Sequence, residues 1–129
     1  MRFQTAIAAL LLVFANSAFS QDARPEPSQN PDARFRLFST TNVYTFLKLD
    51  TRDGRIWQVQ WGKDDYRFTE PLSTRSLATP GKPGRFTLYP TKNIYTFMLL
   101  DQETGEAWHV QWGKAEDRFV TFVRDAGKE

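Results

Sequence analysis

The chain contains no cysteine and only one histidine, His109, among its 129 residues. The absence of cysteine excludes disulfide bonds and thiolate chemistry, so the fold must depend on its hydrophobic core. Nucleophilic catalysis needs a nucleophile with a base beside it, and zinc sites need clustered His and Cys ligands. We therefore predict no catalytic residue, no metal site and no cofactor, and we interpret the protein as a non-enzyme.

A strong charge of either sign is also missing. The chain has 17 Lys and Arg against 15 Asp and Glu, a formal net charge of +2. Removal of residues 1–20 would take away Arg2, which leaves 16 basic and 15 acidic residues and a net charge of +1. Because the basic residues form no run or stripe, we predict no nucleic-acid partner.

The longest apolar run, Ala6 to Ala15, is shorter than the roughly 20 residues that span a bilayer. It follows Arg2 and precedes Ala18-Phe19-Ser20, a small-residue cleavage pattern typical of secretory signal peptides. We predict a signal peptide over 1–20, no membrane span and a periplasmic or secreted location. Residues 21–33 carry three prolines and no large apolar residue, which predicts a flexible leader.

An internal repeat is the strongest pattern in the chain. Residues 34–68 align without a gap on residues 85–119, at an offset of 51, with 19 of 35 positions identical. Such identity indicates a duplication, and the Pro- and Gly-rich segment 72–84 is typical of the loop between two copies. We predict one β domain over 34–129, made of repeats 34–72 and 85–123.

Within each copy the hydrophobic period is two, which favours β-strands. Trp57, Val59 and Trp61 alternate with polar residues, and Trp108, Val110 and Trp112 repeat the pattern. Apolar runs of strand length, 43–49 and 94–100, precede turns that end in Gly54 and Gly105. With 35–38 as a further strand and a short fourth strand near 67–69 and 118–123, each copy is predicted to be a three- to four-stranded antiparallel meander.

The turn fixes the pairing of the two central strands. If Asp50 lies opposite Arg55, Leu49 lies opposite Ile56, Phe46 opposite Val59 and Tyr44 opposite Trp61. One meander cannot bury its aromatic face alone, so we predict that the two copies pack these faces together as a pseudo-twofold small sandwich or close into a small barrel. The four tryptophans are then expected in the core, because an apolar face of that size would otherwise be an exposed patch.

The other face of each meander is polar and is the candidate ligand-binding surface. Its residues are Thr45, Gln58, Gln60, Thr96, His109 and Gln111. We interpret His109 as a structural polar residue rather than a base, because the first copy has Gln58 in its place. The segment 50–54 has some likeness to a calcium loop, but its spacing fails the EF-hand pattern and favours a turn. The adjacent acids at 64–65 and 116–117 favour solvated turns.

The strings TFLKLDTRDGRIWQVQWG and TFMLLDQETGEAWHVQWG resemble the repeated YTFLLLDTxTGxxWQVQW hairpins of small, largely uncharacterised exported bacterial proteins. The resemblance covers most of 34–123 and implies a fold but no activity. The LDxxTGxxxW pattern is also similar to hairpins of quinoprotein-type β-propeller blades. Two copies are too few to close a propeller unless chains associate, and no quinone-binding residue carries over.

Two functions follow from these patterns. The first is an exported, non-catalytic interaction module that acts on a protein or cell-envelope partner. The alternative is a small-ligand or carbohydrate-binding domain that uses its aromatic residues. The exposure of the four tryptophans separates these two hypotheses, because aromatic side chains in an exposed concave site are typical of ligand binding.

Overall fold

The computed structural model describes residues 30–127, which form an all-β fold of two four-stranded antiparallel sheets. Each repeat builds one sheet in the strand order of a meander, which confirms two tandem meanders packed as a sandwich. Sheet A contains β1 Phe35–Ser39, β2 Thr45–Asp50, β3 Ile56–Gln60 and β4 Phe68–Ser73. Sheet B contains β5 Phe86–Pro90, β6 Thr96–Asp101, β7 Ala107–Gln111 and β8 Phe119–Val123. Short 3-10 turns, Asp64–Tyr66 and Ala115–Asp117, precede β4 and β8.

The signal peptide predicted over 1–20 lies outside the described residues, as does most of the leader predicted over 21–33. Within 30–127, no helix is both long and apolar enough to cross a membrane.

The central hairpins have the predicted pairing. Leu49 lies opposite Ile56 and Phe46 opposite Val59, and the Asp50 N–H donates to the Arg55 carbonyl at 2.9 Å. β2 begins two residues later than predicted because residues 42–45 form a turn, in which the Asn42 carbonyl accepts the Thr45 N–H. β4 is longer than predicted and extends two residues into the segment interpreted as a loop.

Gly54 closes the β2–β3 turn in the left-handed region, with φ of 85°. A Cβ at this position would lie 3.0 Å from the Leu77 side chain and 3.1 Å from the Phe86 ring. Gly105, with φ of 79°, is its counterpart, but a Cβ there would meet nothing within 4 Å. The first hairpin tip therefore needs glycine for packing as well as for backbone conformation.

The two sheets bury opposite faces, contrary to the prediction that both aromatic faces would meet. Sheet A buries the side chains of Leu47, Leu49, Ile56 and Gln58, whereas sheet B buries its aromatic face, which consists of Phe97, Leu99, Trp108, Val110 and Trp112. A pseudo-twofold contact would bury the same side chains of both copies. The observed contact is instead heterologous, since one face of the repeat packs on the opposite face of the next repeat.

Polar contacts hold this arrangement in place. The Gly113 N–H donates to Gln58 Oε1 at 3.0 Å, and the Phe86 N–H donates to the Thr51 carbonyl at 2.8 Å. Thr51 is fully buried, and its hydroxyl accepts the N–H of Gly84 at 2.9 Å. The tip of the first hairpin thus anchors the start of β5.

Candidate functional site

The candidate functional site is the outer face of sheet A, which points away from sheet B. Strand register places Phe46, Val59 and Trp57 on this face, and β1 adds Phe35 and Leu37 at its edge. Trp61 continues the alternation beyond the end of β3. The outer face of sheet A is therefore defined by Phe35, Leu37, Phe46, Trp57, Val59 and Trp61. A contiguous apolar patch of this composition is typical of an interaction surface.

The second copy shows what this face looks like when it is covered. Three aromatic or aliphatic positions are exposed in sheet A and buried in sheet B: Phe35 and Phe86 at 44% and 0%, Leu37 and Leu88 at 47% and 3%, and Trp61 and Trp112 at 52% and 5%. The prediction that all four tryptophans lie in the core is therefore wrong for Trp61, and Trp57 is only half-buried. Sheet B buries this face against sheet A, whereas no strand within residues 30–127 covers the equivalent face of sheet A.

An aromatic recess lies at one end of the outer face of sheet A. Tyr44 and Trp61 pack with ring centroids 4.7 Å apart, and Tyr66, which is 70% exposed, completes the aromatic wall. Gln60, Gly62 and Lys63 supply the remaining lining of a space of about 770 Å³. The Trp61 indole N–H donates to the Val43 carbonyl at 3.0 Å, which fixes the ring in the wall of the recess.

Two arginines reach the rings of this face from its edges: the Arg34 guanidinium lies 4.6 Å from the Phe35 ring centroid, and the Arg55 guanidinium lies 5.4 Å from that of Trp57. Lys48 lies in the middle of the face. Its ammonium lies 5.0 Å from the Trp57 ring centroid and 5.8 Å from that of Phe35, within the range of a cation–π contact. The counterpart of Lys48 in the second copy is Leu99, which is fully buried. A lysine at this position keeps the aromatic face partly hydrated, because its stem covers apolar surface while its charged end stays near solvent.

The six residues predicted as one polar surface do not lie on one surface. Thr45 and Gln58 are 2% and 3% exposed and belong to the face of sheet A that packs on sheet B, so a solvent-facing role is wrong for them. Gln60 is half-buried beside Thr45 and lines the recess. The other three, Thr96, His109 and Gln111, lie on the outer face of sheet B, where Thr96 is buried and the other two are half-buried.

His109 contacts an aromatic ring at its position in β7. Its imidazole packs edge-on against Phe119 with ring centroids 5.1 Å apart. Within residues 30–127, no group of three or more His, Asp or Glu side chains is placed to hold a metal ion.

The buried carboxylates at the hairpin tips are neutralised by arginines, which supports the turn interpretation of residues 50–54. Asp50 accepts from Arg55 at 3.0 Å and from the Arg52 backbone N–H at 3.1 Å. Burial alone would raise the pKa of Asp50, but these hydrogen bonds and the neighbouring guanidinium groups outweigh it and lower the pKa. The pKa of Asp101 is likewise lowered, because its desolvation is offset by a bidentate contact with Arg85 at 2.8 and 3.0 Å.

One sequence signal could have identified the exposed face. Positions 48 and 99 are equivalent, yet the first copy has lysine where the second has leucine. A charged residue in the middle of an otherwise apolar face is rarely compatible with full burial. The substitution therefore marks the aromatic face of the first copy, and not that of the second, as the one open to solvent.

Comparison with known proteins gives no relative on which to base a role for this face: no protein-family model, curated protein or solved structure matches the chain.

Proposed function

We propose that this protein is an exported, non-catalytic interaction module that binds a protein partner through the outer face of sheet A. The observation that carries the proposal is the exposure of Phe35, Leu37 and Trp61, whose counterparts are at most 5% exposed when a neighbouring sheet covers them. The equivalent face of sheet B is part of the core. The outer face of sheet A therefore has the shape and apolarity of a surface that a partner covers. The signal peptide predicted over 1–20 supports a periplasmic or secreted location.

Photo-crosslinking in cells tests this proposal directly. A photoreactive phenylalanine at Leu37 places the probe on the outer face of sheet A, and one at Lys82, an exposed loop residue, serves as the control. We expect a discrete crosslinked band in the exported fraction from position 37 and none from position 82. Absence of a band at 37 and at a second probe position, Trp61, would refute binding of a protein through this face.

The aromatic recess favours a second candidate function, the binding of a carbohydrate or small ligand. Tyr44, Trp61 and Tyr66 present exposed rings, and Gln60 and Lys63 add polar groups at the rim. Aromatic side chains with a polar edge commonly stack on sugar rings. Titration with soluble oligosaccharides should then change the tryptophan fluorescence of the wild-type protein and leave that of Trp61→Phe nearly unchanged. No saturable change in the wild-type protein would exclude this alternative for the sugars used.

A further inference from the structure

The two sheets pack through opposite faces of the repeat. The two faces that stay open, the outer face of sheet A and the outer face of sheet B, are therefore also opposite faces of the repeat. Sheet B covers the Leu47 and Leu49 face of sheet A with its own aromatic face. The outer face of sheet A is the aromatic face of the first copy, so it is equivalent to the face that sheet B already buries. We propose that its partner is the outer face of sheet B of a second copy of this chain, so that chains associate head to tail. This inference rests on the proposed function, because it names the partner of the same face.

The outer face of sheet B has the composition that such a contact requires. We define it by Tyr89, Met98, Leu100, Ala107 and His109, which share one side of the sheet by register. Their counterparts in sheet A are Phe38, Leu47, Leu49, Ile56 and Gln58. Of these, the three aliphatic residues are 0% exposed and Gln58 is 3% exposed against sheet B. The outer face of sheet B carries no acidic residue and no lysine or arginine among these five positions, which suits burial against an aromatic surface.

The contact inside the chain serves as a template for the contact between chains. Gln58 of sheet A reaches the backbone N–H of Gly113 at 3.0 Å. In the contact between chains, sheet B of one copy takes the place of sheet A, and sheet A of the next copy takes the place of sheet B. Each residue is then replaced by its counterpart 51 positions away in the repeat. His109 of one copy therefore lies against Gly62 of the next. Gly62 lines the aromatic recess, so the His109 side chain would enter the space that stands open beside Trp61. Imidazole can accept a hydrogen bond from the glycine N–H as the glutamine amide does.

A second template contact lies at the other end of the same faces. The Phe86 N–H donates to the Thr51 carbonyl at 2.8 Å and joins the start of sheet B to the tip of the first hairpin. The same shift pairs the Phe35 N–H with the Gln102 carbonyl of the neighbouring copy. Gln102 is exposed at the tip of the second hairpin, and Phe35 is 44% exposed at the start of β1. Both partners are thus available at the surface.

Because of Lys48, we expect the contact between chains to be weaker than the contact within one chain. It occupies the place of Leu99, which is fully buried, so association would draw a charged residue toward an apolar contact. Lys48 also argues against pairing of two identical faces, because two copies of the aromatic face would bring two lysines together. The acidic residue on that side of sheet A, Asp50, is fully buried and already paired with Arg55. Head-to-tail contact brings Lys48 against a face without a lysine or arginine among its five defining positions, with its ammonium kept at the aromatic rings.

Sedimentation of the exported protein tests the inference with three single variants. Leu37→Asp disrupts the outer face of sheet A, and Tyr89→Asp disrupts the outer face of sheet B. Both side chains are about half exposed, at 47% and 52%, so their replacement leaves the core intact. Thr79→Asp is the control, because Thr79 is an exposed residue of the loop between the two sheets and belongs to neither outer face. We expect the wild-type protein and Thr79→Asp to form assemblies, and both face variants to be monomers.

Mixing the two face variants provides the decisive measurement. Each retains one intact face of the opposite kind, so equal amounts of Leu37→Asp and Tyr89→Asp should combine into a one-to-one dimer and go no further. A symmetric contact between two sheet A faces would instead leave Tyr89→Asp assembled alone and would form no mixed dimer. That result, or a wild-type protein that remains monomeric at about 100 μM, would overturn the inference. If circular dichroism shows that either variant is unfolded, Phe35→Asp or Leu100→Asp replaces it.

Lys48→Leu tests whether Lys48 weakens the association between chains. It gives this position the residue of its buried counterpart, Leu99. We expect it to tighten association by at least about fivefold, because it removes the desolvation of a charge. The gain must disappear when Tyr89→Asp is combined with it; an assembly that persists would refute the contact.

Failure of this inference remains distinct from failure of the proposed function. A monomeric wild-type protein with a crosslink from position 37 to a different protein would leave the binding face in place and exclude only the second copy as its partner.

Discussion

Truncation of equivalent tryptophans in the two copies should have very different effects on stability. Trp112 is 5% exposed and packs on Tyr95 with ring centroids 5.1 Å apart, so Trp112→Ala should cost about 3–5 kcal/mol, the usual range for a buried aromatic. Trp61 is 52% exposed, so Trp61→Ala removes about half of the burial term of roughly 1.5–3 kcal/mol and leaves no enclosed cavity. Loss of its exposed hydrogen bond adds about 0.5 kcal/mol, because water replaces the partner, so the expected cost is about 1–2 kcal/mol.

Thermal unfolding followed by circular dichroism measures this difference. For a domain of this size, 1 kcal/mol corresponds to roughly 4–8 °C in Tm, so Trp112→Ala should melt at least about 4 °C below Trp61→Ala. The melts should be recorded at low protein concentration, because association through the outer face of sheet A would raise the Tm of the wild-type protein. Iodide should quench the fluorescence of Trp61 and spare that of Trp112. Equal losses of Tm for the two variants would refute the assignment of opposite buried faces.

Three further outcomes are expected. Gly54→Ala should lower Tm more than Gly105→Ala, because both strain a left-handed backbone but only the Cβ at Gly54 would meet two core side chains, so equal losses would contradict the packing at that tip. The pKa values of Asp50 and Asp101 are lowered in the folded protein, so the stability they contribute is present above about pH 4 and is lost as the pH falls through the lowered values. Melts between pH 2 and 7 should show this loss, and Asp101→Asn should reduce its size. Intact-mass analysis of the exported protein should give a chain that begins at Gln21, and an uncut N-terminus would contradict the signal-peptide prediction.

The strand pairing could be derived from the sequence because local rules determine it. The Asp and Gly positions of the turn align Leu49 with Ile56, and a shift by one residue would move every side chain to the other face. The duplication then transfers the same pairing to the second copy, where Leu100 lies opposite Ala107. These are contacts between near neighbours in sequence, which a single pattern can specify.

The choice of buried face could not be derived in the same way. Both faces of sheet A carry apolar side chains: Leu47 and Leu49 on one, Phe46 and Val59 on the other. Alternation shows that two faces differ but not which of them meets the other sheet. Two similar repeats can bury their surface with like faces together or with unlike faces together, and the sequence of one repeat is compatible with both. The candidate polar surface was misplaced for this reason, since Gln58 lies on the face that became the interface.

The heterologous stacking of the sheets also bears on how a repeat of this kind can end. When two units pack through like faces, the pair is closed, because the interacting face of each unit is buried. When units pack through unlike faces, each added unit covers one exposed face and exposes an equivalent one. A stack of this kind therefore always has open faces at its two ends. Repeat proteins usually end such a series with a modified terminal unit that has a polar outer side. The outer face of sheet A keeps Trp57 and Trp61 and differs by the cationic side chains of Lys48 and Arg55, whose counterparts are Leu99 and Glu106. A head-to-tail ring is one arrangement that leaves no such face open, because a ring buries one more interface than an open stack of the same number of sheets.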